Sequence, residues 1–280
     1  MRTVAIVSMK GGVGKTAIAA NLGASLARMA SGETLVVDFD PRNQLGIHFG
    51  MDPRSGVGLA ETLLIGANPG PLIHTPSDGP DYLPFGRVTD RDRAELESIA
   101  SKRPHVLQQA LCESPLSGYA FVVIDSAPGP SSLLLPVLLA ADLVVAVVLA
   151  DAASFATLPD LLELSGMASE RRRPENLHVL INAADDDTCL GRDVRALLGA
   201  QKDVSVLPFA IHRDEAVREA LACRRTVLAH APTSQASADF RSLAEWLRQE
   251  MAREVSAPPV RPSEGTAPVV AVVAAPAAEG

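Results

Sequence analysis

Residues Thr3–Thr16 read TVAIVSMKGGVGKT: an apolar run over Val4–Val7, then glycines interleaved with two lysines, then Lys-Thr opening an amphipathic segment from Lys15 to Arg28. A glycine turn between a buried strand and a helix lets backbone N–H groups close around phosphate oxygens. The turn therefore predicts a nucleotide-binding loop made of Gly11, Gly12, Val13, Gly14, Lys15, Thr16 and Ala17. In such a loop Lys15 pairs with the β- and γ-phosphates and the Thr16 hydroxyl ligates Mg²⁺. Lys10 is surplus to that arrangement. An ordinary phosphate loop accounts for one lysine, not for two that stand five positions apart.

Working outward, further β-branched runs alternate with helix-length segments. TLVVD, FVVID, LVVAVVL, LHVLIN and VSVLP are separated by amphipathic stretches at Ser131–Leu139, Ser154–Met167 and Asp193–Leu198, and Asp214–Ala222 follows the last of them. Near-continuous apolar strands with helices between them predict an α/β fold: a doubly wound, mostly parallel sheet covered by helices on both faces. The expected domain covers residues 1–255. A looser, Gly- and Pro-rich insertion spans about 52–103 and holds one helix candidate, Leu59–Ile65, and one apolar patch, Tyr82–Phe85. Residues 256–280 collapse to Ala, Pro and Val and are expected to be a disordered tail. Its VVAVVAA stretch is too short to span a bilayer and lacks the basic flank of a surface helix, so no direct membrane anchor is expected.

Composition narrows the function classes. The 280 residues are 47% hydrophobic and 21% charged, with a net charge of −8, which argues against a surface built wholly for polyanions. Cys112, Cys189 and Cys223 form no C-x-x-C pair, so neither a disulfide framework nor a zinc site is expected, and a reducing cytoplasm is.

Carboxylates stand where a parallel sheet binds its ligands, beyond the carboxyl ends of strands. VVDFDP places Asp38 and Asp40 at one strand end, both on the same side by period-two alternation. FVVID ends in Asp125 and runs into SAPG, which reads as a Walker B strand whose Asp125 holds Mg²⁺ through water and whose Gly129 gives the following turn freedom.

The loop Lys10–Thr16, KGGVGKT, is a deviant Walker A sequence and resembles that of the MinD and ParA family of P-loop ATPases. The resemblance implies that Lys10 reaches across an ATP-dependent homodimer to the partner's nucleotide. It implies that Asp40 orients the attacking water and that Asp38 supports the Mg²⁺ shell. Asn182 would recognise adenine, with a second base contact around Leu207, Pro208 and Phe209. The chain departs from the family pattern at Ala17, where a second threonine is common, at Arg42 and Asn43, which replace Gln-Gly, and at Asp151, which replaces Pro. None of these removes a phosphate or metal ligand.

YLPFGR at Tyr82–Arg87, VLPFAIHRDEA at Val206–Ala216 and EALACRRTV at Glu219–Val227 resemble the MinD-like ATPases of bacterial cellulose synthesis operons, over roughly residues 1–250. That branch implies a weak ATPase acting as a switch on the membrane cellulose synthase and its small accessory subunits, recruited peripherally to the inner membrane from the cytosol. The HRD triplet is not a kinase catalytic loop, because Glu219 stands where that loop needs Asn. His212, Arg213 and Asp214 read instead as a helix start, with Asp214 as cap or first-turn anion and the two basic groups near the nucleotide or a partner surface. The basic runs ERRRPE, from Glu170, and CRRT, from Cys223, are short, and the first is bracketed by Glu170 and Glu175, so DNA is an unexpected partner. The competing classes are a partitioning ATPase for DNA or a polar cargo, a scaffold that holds ATP without turnover, and a small-molecule carboxylate ligase.

Overall fold

The computed structural model describes residues 1–29, 33–54, 56–77, 79–113, 115–168, 176–185, 196 and 205–256. The apolar runs become β1 Arg2–Val7, β2 Thr34–Phe39, β4 Phe121–Ser126, β5 Leu143–Leu149, β6 Leu177–Asn182 and β7 Ser205–Val206, with β3 at Asp81–Leu83. They form one sheet in the order β3-β2-β4-β1-β5-β6-β7, and every pairing is parallel. Period two explains why the runs are apolar throughout. Val4 and Ile6 of β1 face one core while Ala5 and Val7 face the other, so both faces of the sheet are buried.

The helix α1, Lys15–Met29, leaves the loop directly and packs Ile18, Leu22 and Leu26 on the sheet, a stripe at four-residue spacing. Each such buried side chain contributes about 1.5–3 kcal/mol. A Cβ on Gly23 would lie 2.2 Å from Val36 Cγ2, so that glycine sets how closely α1 rests on β2. The C-terminal helix Gln235–Ser256 adds Phe240, Leu243, Leu247 and Met251 to the same core. Helices Leu59–Ile65, Asp90–Lys102, Val106–Leu111 and Leu134–Ala140 cover the opposite face.

The stretch at 52–103 is tied into the sheet more closely than a peripheral insertion would be. Tyr82 and Leu83 pair with Val36 and Val37, making the patch an edge strand. The adjoining LPFG is fixed by backbone contact: a Cβ on Gly58 would fall 2.2 Å from Gly86 N, and Gly86 has φ +91°. Leu59 N and Ala60 N donate to Pro84 O and Phe85 O, which starts the expected helix Leu59–Ile65. The segment expected at Ser154–Met167 is two helices, Ala152–Ala156 and Leu158–Ala168. Asp214 caps Glu215–Ala222, accepting from Ala216 N at 2.9 Å. Cys112 and Cys223 are free thiols. The expected helix at 193–198 is described only at residue 196. Cys189, the basic run at 170–175 and the tail beyond residue 256 lie outside the described residues. Among the described residues no helix is long and apolar enough to cross a membrane.

Candidate nucleotide site

The loop sits at the carboxyl end of β1, between β4 and β5. Gly12 and Gly14 have φ +78° and +95°, which an L side chain adopts only with strain. Gly14 is doubly constrained, since a Cβ there would meet Asn182 Nδ2 at 2.3 Å. That amide donates to Val13 O at 2.7 Å and ties the end of β6 to the loop. The Asn182 Oδ1 and the second Nδ2 hydrogen are then left for a base edge. Lys15 is 4% exposed and donates to Ser8 Oγ at 2.9 Å, and Ser8 donates to Lys10 O at 2.6 Å. Burial lowers the Lys15 pKa, and the charges of Asp125 and Asp40 work against that shift.

The carboxylates divide by what holds them. Asp38 and Asp125 stand in register on β2 and β4, both fully interior. Asp38 spends its oxygens on backbone: Oδ1 accepts from Asp40 N and Oδ2 from Leu45 N, each at 3.0 Å. It thereby shapes the loop that carries Asp40. Burial, with the Asp125 charge adding, holds the Asp38 carboxyl well above the usual range, while those N–H groups oppose the shift. Among the described residues neither Asp125 oxygen makes a hydrogen bond of good geometry, although the Thr16 hydroxyl stands close enough to act on it. Burial pushes its pKa up to about 7, with Thr16 and Lys15 pulling the other way. A buried carboxylate with incomplete hydrogen bonding is costly, and one beside the Thr16 hydroxyl fits a divalent cation. No cluster of three or more His, Cys, Asp or Glu side chains forms a metal cage among the described residues. The protein thus offers part of a Mg²⁺ shell, and nucleotide phosphates would complete it.

Two ion pairs complete the rim. Lys10 Nζ lies 2.9 Å from Asp151 Oδ2, with the side chains 35% and 34% exposed. Asp40 is gripped by Arg42, whose Nε donates to both carboxylate oxygens at 3.1 Å while Nη2 reaches Oδ2 at 2.5 Å. Gly129 N donates to Ser8 O at 2.9 Å, linking the turn after β4 to the loop. Its φ is not positive; a Cβ there would strike Met9 Sδ at 2.6 Å, so close approach explains this glycine.

A cavity of about 410 Å³ opens beside the loop, bordered by Ala17, Leu149, Asp151, Asn182, His212 and Arg213 among others. Pro208 and Phe209, expected here, are not among its lining residues. Pro208 is exposed, and Phe209 packs edge-on against Trp246 with ring centroids 6.4 Å apart. The residues that do line it come three to six positions later in the same stretch, from the HRD triplet. Asp239 fixes His212 by accepting from its backbone N at 2.8 Å and lying 2.9 Å from its Nδ1. Ala184 N donates to Ile211 O, and Arg213 N donates to Ala184 O, which draws this loop against the end of β6. His212 and Arg213, expected near the nucleotide or a partner surface, border the cavity beside the loop.

A parallel sheet in this order, with a lysine-bearing glycine loop on its central strand and Asp125 ending the neighbouring strand, defines a P-loop ATPase of the MinD and ParA type. Comparison with known proteins narrows the class. The chain belongs to the cellulose biosynthesis protein BcsQ family, whose model matches residues 1–247. It is 34% identical over 250 residues to the chromosome-partitioning ATPase Soj of Thermus thermophilus, covering 88% of this chain and 94% of that protein. It is 28% identical over 250 residues to the cellulose biosynthesis protein BcsQ of Escherichia coli K12, with coverage of 88% and 94%. A solved structure of cobyrinic acid a,c-diamide synthase from Mycobacterium smegmatis, with bound ATP analogue and magnesium, superposes with TM-score 0.75 at 24% identity, covering 91% of this chain and 97% of that one.

Proposed function

We propose that the chain is a slow Mg-ATPase that dimerises face to face around two ATP molecules and uses the dimer as a switch on the membrane cellulose synthase. The observation that carries the switch is the contrast between its two loop lysines. Lys15 is buried inside its own loop, whereas Lys10 is about one-third exposed and held outside the loop by Asp151, which supports a separate role for it. Gly11, Gly12, Val13, Gly14 and Ala17 would frame the phosphates, and the 410 Å³ cavity beside Asn182 has the size for a base.

Hydrolysis would proceed by in-line attack of water on the γ-phosphate, with Asp40 orienting the water. Lys15, and Lys10 from the partner, would neutralise charge that develops in the transition state. Thr16 and Asp125 would hold Mg²⁺, which would supply further charge neutralisation, and Asp38 would support that shell indirectly by holding the Asp40 loop.

Family membership supports cellulose synthase and its small accessory subunits as the target, met from the cytosolic face of the inner membrane. The similarity to Soj favours a second reading, an ATPase that partitions DNA or a polar cargo. The test is capture on the tagged protein from solubilised membranes with a slowly hydrolysed ATP analogue, repeated with ADP. Synthase subunits recovered only with the analogue support the proposal. Chromosomal DNA without synthase would overturn it in favour of partitioning.

A further inference from the structure

Resting on the ATPase reading, we propose that Arg42 is a positioning residue that restrains Asp40 until a third phosphate draws its guanidinium away. The geometry is specific. Asp40 is 6% exposed, and both of its oxygens accept from the Arg42 side chain. Oδ1 also accepts from Arg42 N at 3.0 Å. With its lone pairs directed at Arg42, the carboxylate is poorly placed to orient a water molecule.

The other end of the pair faces solvent. Arg42 is 49% exposed and borders a cavity of about 480 Å³ together with Pro128, Ser131 and Arg93. Its charge also acts on Lys15, Asp125 and Asp38, the groups that ring the phosphate end of the site. A guanidinium fork matches a phosphate as well as it matches a carboxylate. A nucleoside triphosphate carries one phosphate more than a diphosphate, and in this proposal that phosphate lies within reach of Arg42. Exchange of the fork from Asp40 to that phosphate releases the carboxylate when hydrolysable nucleotide is bound and leaves it restrained with ADP. Arg42 therefore reads the nucleotide state and couples it to the water-orienting group, a role that a neutral side chain at this position could not fill.

The test compares calorimetric affinities of the full chain for ADP and for a slowly hydrolysed ATP analogue, in Arg42→Gln, Arg42→Lys and Asp40→Asn. Arg42→Gln should weaken the analogue about tenfold, the scale of a lost charge-assisted hydrogen bond, and leave ADP unchanged. Arg42→Lys should restore part of that loss. Asp40→Asn removes the competitor for the guanidinium, so analogue binding should tighten severalfold although turnover is lost. Equal losses for both nucleotides in Arg42→Gln, or no gain in Asp40→Asn, would overturn the inference. The wild-type chain in the same titrations separates the two levels, since failure of the wild type to bind the analogue would sink the ATPase reading itself.

Discussion

Asp151→Asn should tighten the ATP-dependent dimer. Lys10 Nζ lies 2.9 Å from Asp151 Oδ2, and at 35% and 34% exposure solvent screens the pair. Such a pair is worth about 0.5–1 kcal/mol. If Lys10 must leave Asp151 to reach the partner's nucleotide, a symmetric dimer breaks two pairs, and association is penalised by about 1–2 kcal/mol. Asn keeps an acceptor for Ser154 N, which donates to Asp151 Oδ1 at 2.6 Å at the start of helix Ala152–Ala156. The substitution therefore removes the charge and keeps the cap. Sedimentation velocity across a concentration series, with a slowly hydrolysed ATP analogue, should show the dimer dissociation constant falling about 5–30-fold. High salt should narrow the gap between variant and wild type, because it screens the half-exposed pair. A dissociation constant that stays the same or rises in Asp151→Asn would refute the release step.

Two further outcomes follow from buried groups. Asp125→Asn removes the charge of an interior carboxylate whose hydrogen bonding is incomplete, so the nucleotide-free protein should melt higher, by less than the full desolvation cost because Lys15 loses a charge partner, yet lose its Mg-ATP-dependent stabilisation. A lower melting temperature without nucleotide would show that the carboxylate is well paired in solution. His48 is 4% exposed, and burial lowers its pKa to about 4, so the folded state favours its neutral form. The unfolded chain takes up that proton first, below its ordinary value of about 6.5, so stability is full above 6.5, falls as pH drops and levels off below about 4. The loss amounts to about 3 kcal/mol, and urea titrations across that window should show it diminished in His48→Gln. Parallel pH curves for the two proteins would contradict the burial argument.

The strongest strands were legible because a parallel sheet buried on both faces demands unbroken β-branched runs, and the chain supplies them at β1, β2, β4, β5 and β6. β3 was legible only as an apolar patch. Its place at the sheet edge depends on the contact between Gly58 and Gly86, which are distant in sequence. Helix Asp90–Lys102 buries only Leu96 and Ala100, too sparse for a periodicity to show, although its Thr89 and Asp92 capping box is a local signal. The phosphate loop could be read whole because its chemistry is consecutive. What holds Lys10 could not, since Asp151 lies far along the chain and meets it only through the pairing of β1 with β5. Arg42 was visible as a departure from the family, but its grip on Asp40 is a matter of side-chain conformation. The resemblance put the second base contact around Leu207, Pro208 and Phe209, whereas the bridge between Ala184 and His212 sets His212 and Arg213 on the cavity beside the loop.

The most direct test of the switch is the molar mass of the chain by light scattering, in ADP and in a slowly hydrolysed ATP analogue, for the wild type and Lys10→Ala. The account predicts a wild-type dimer with the analogue, a monomer with ADP, and a variant that still binds both nucleotides but stays monomeric. A Lys10→Ala protein that dimerises with the analogue and hydrolyses ATP at the wild-type rate would contradict it.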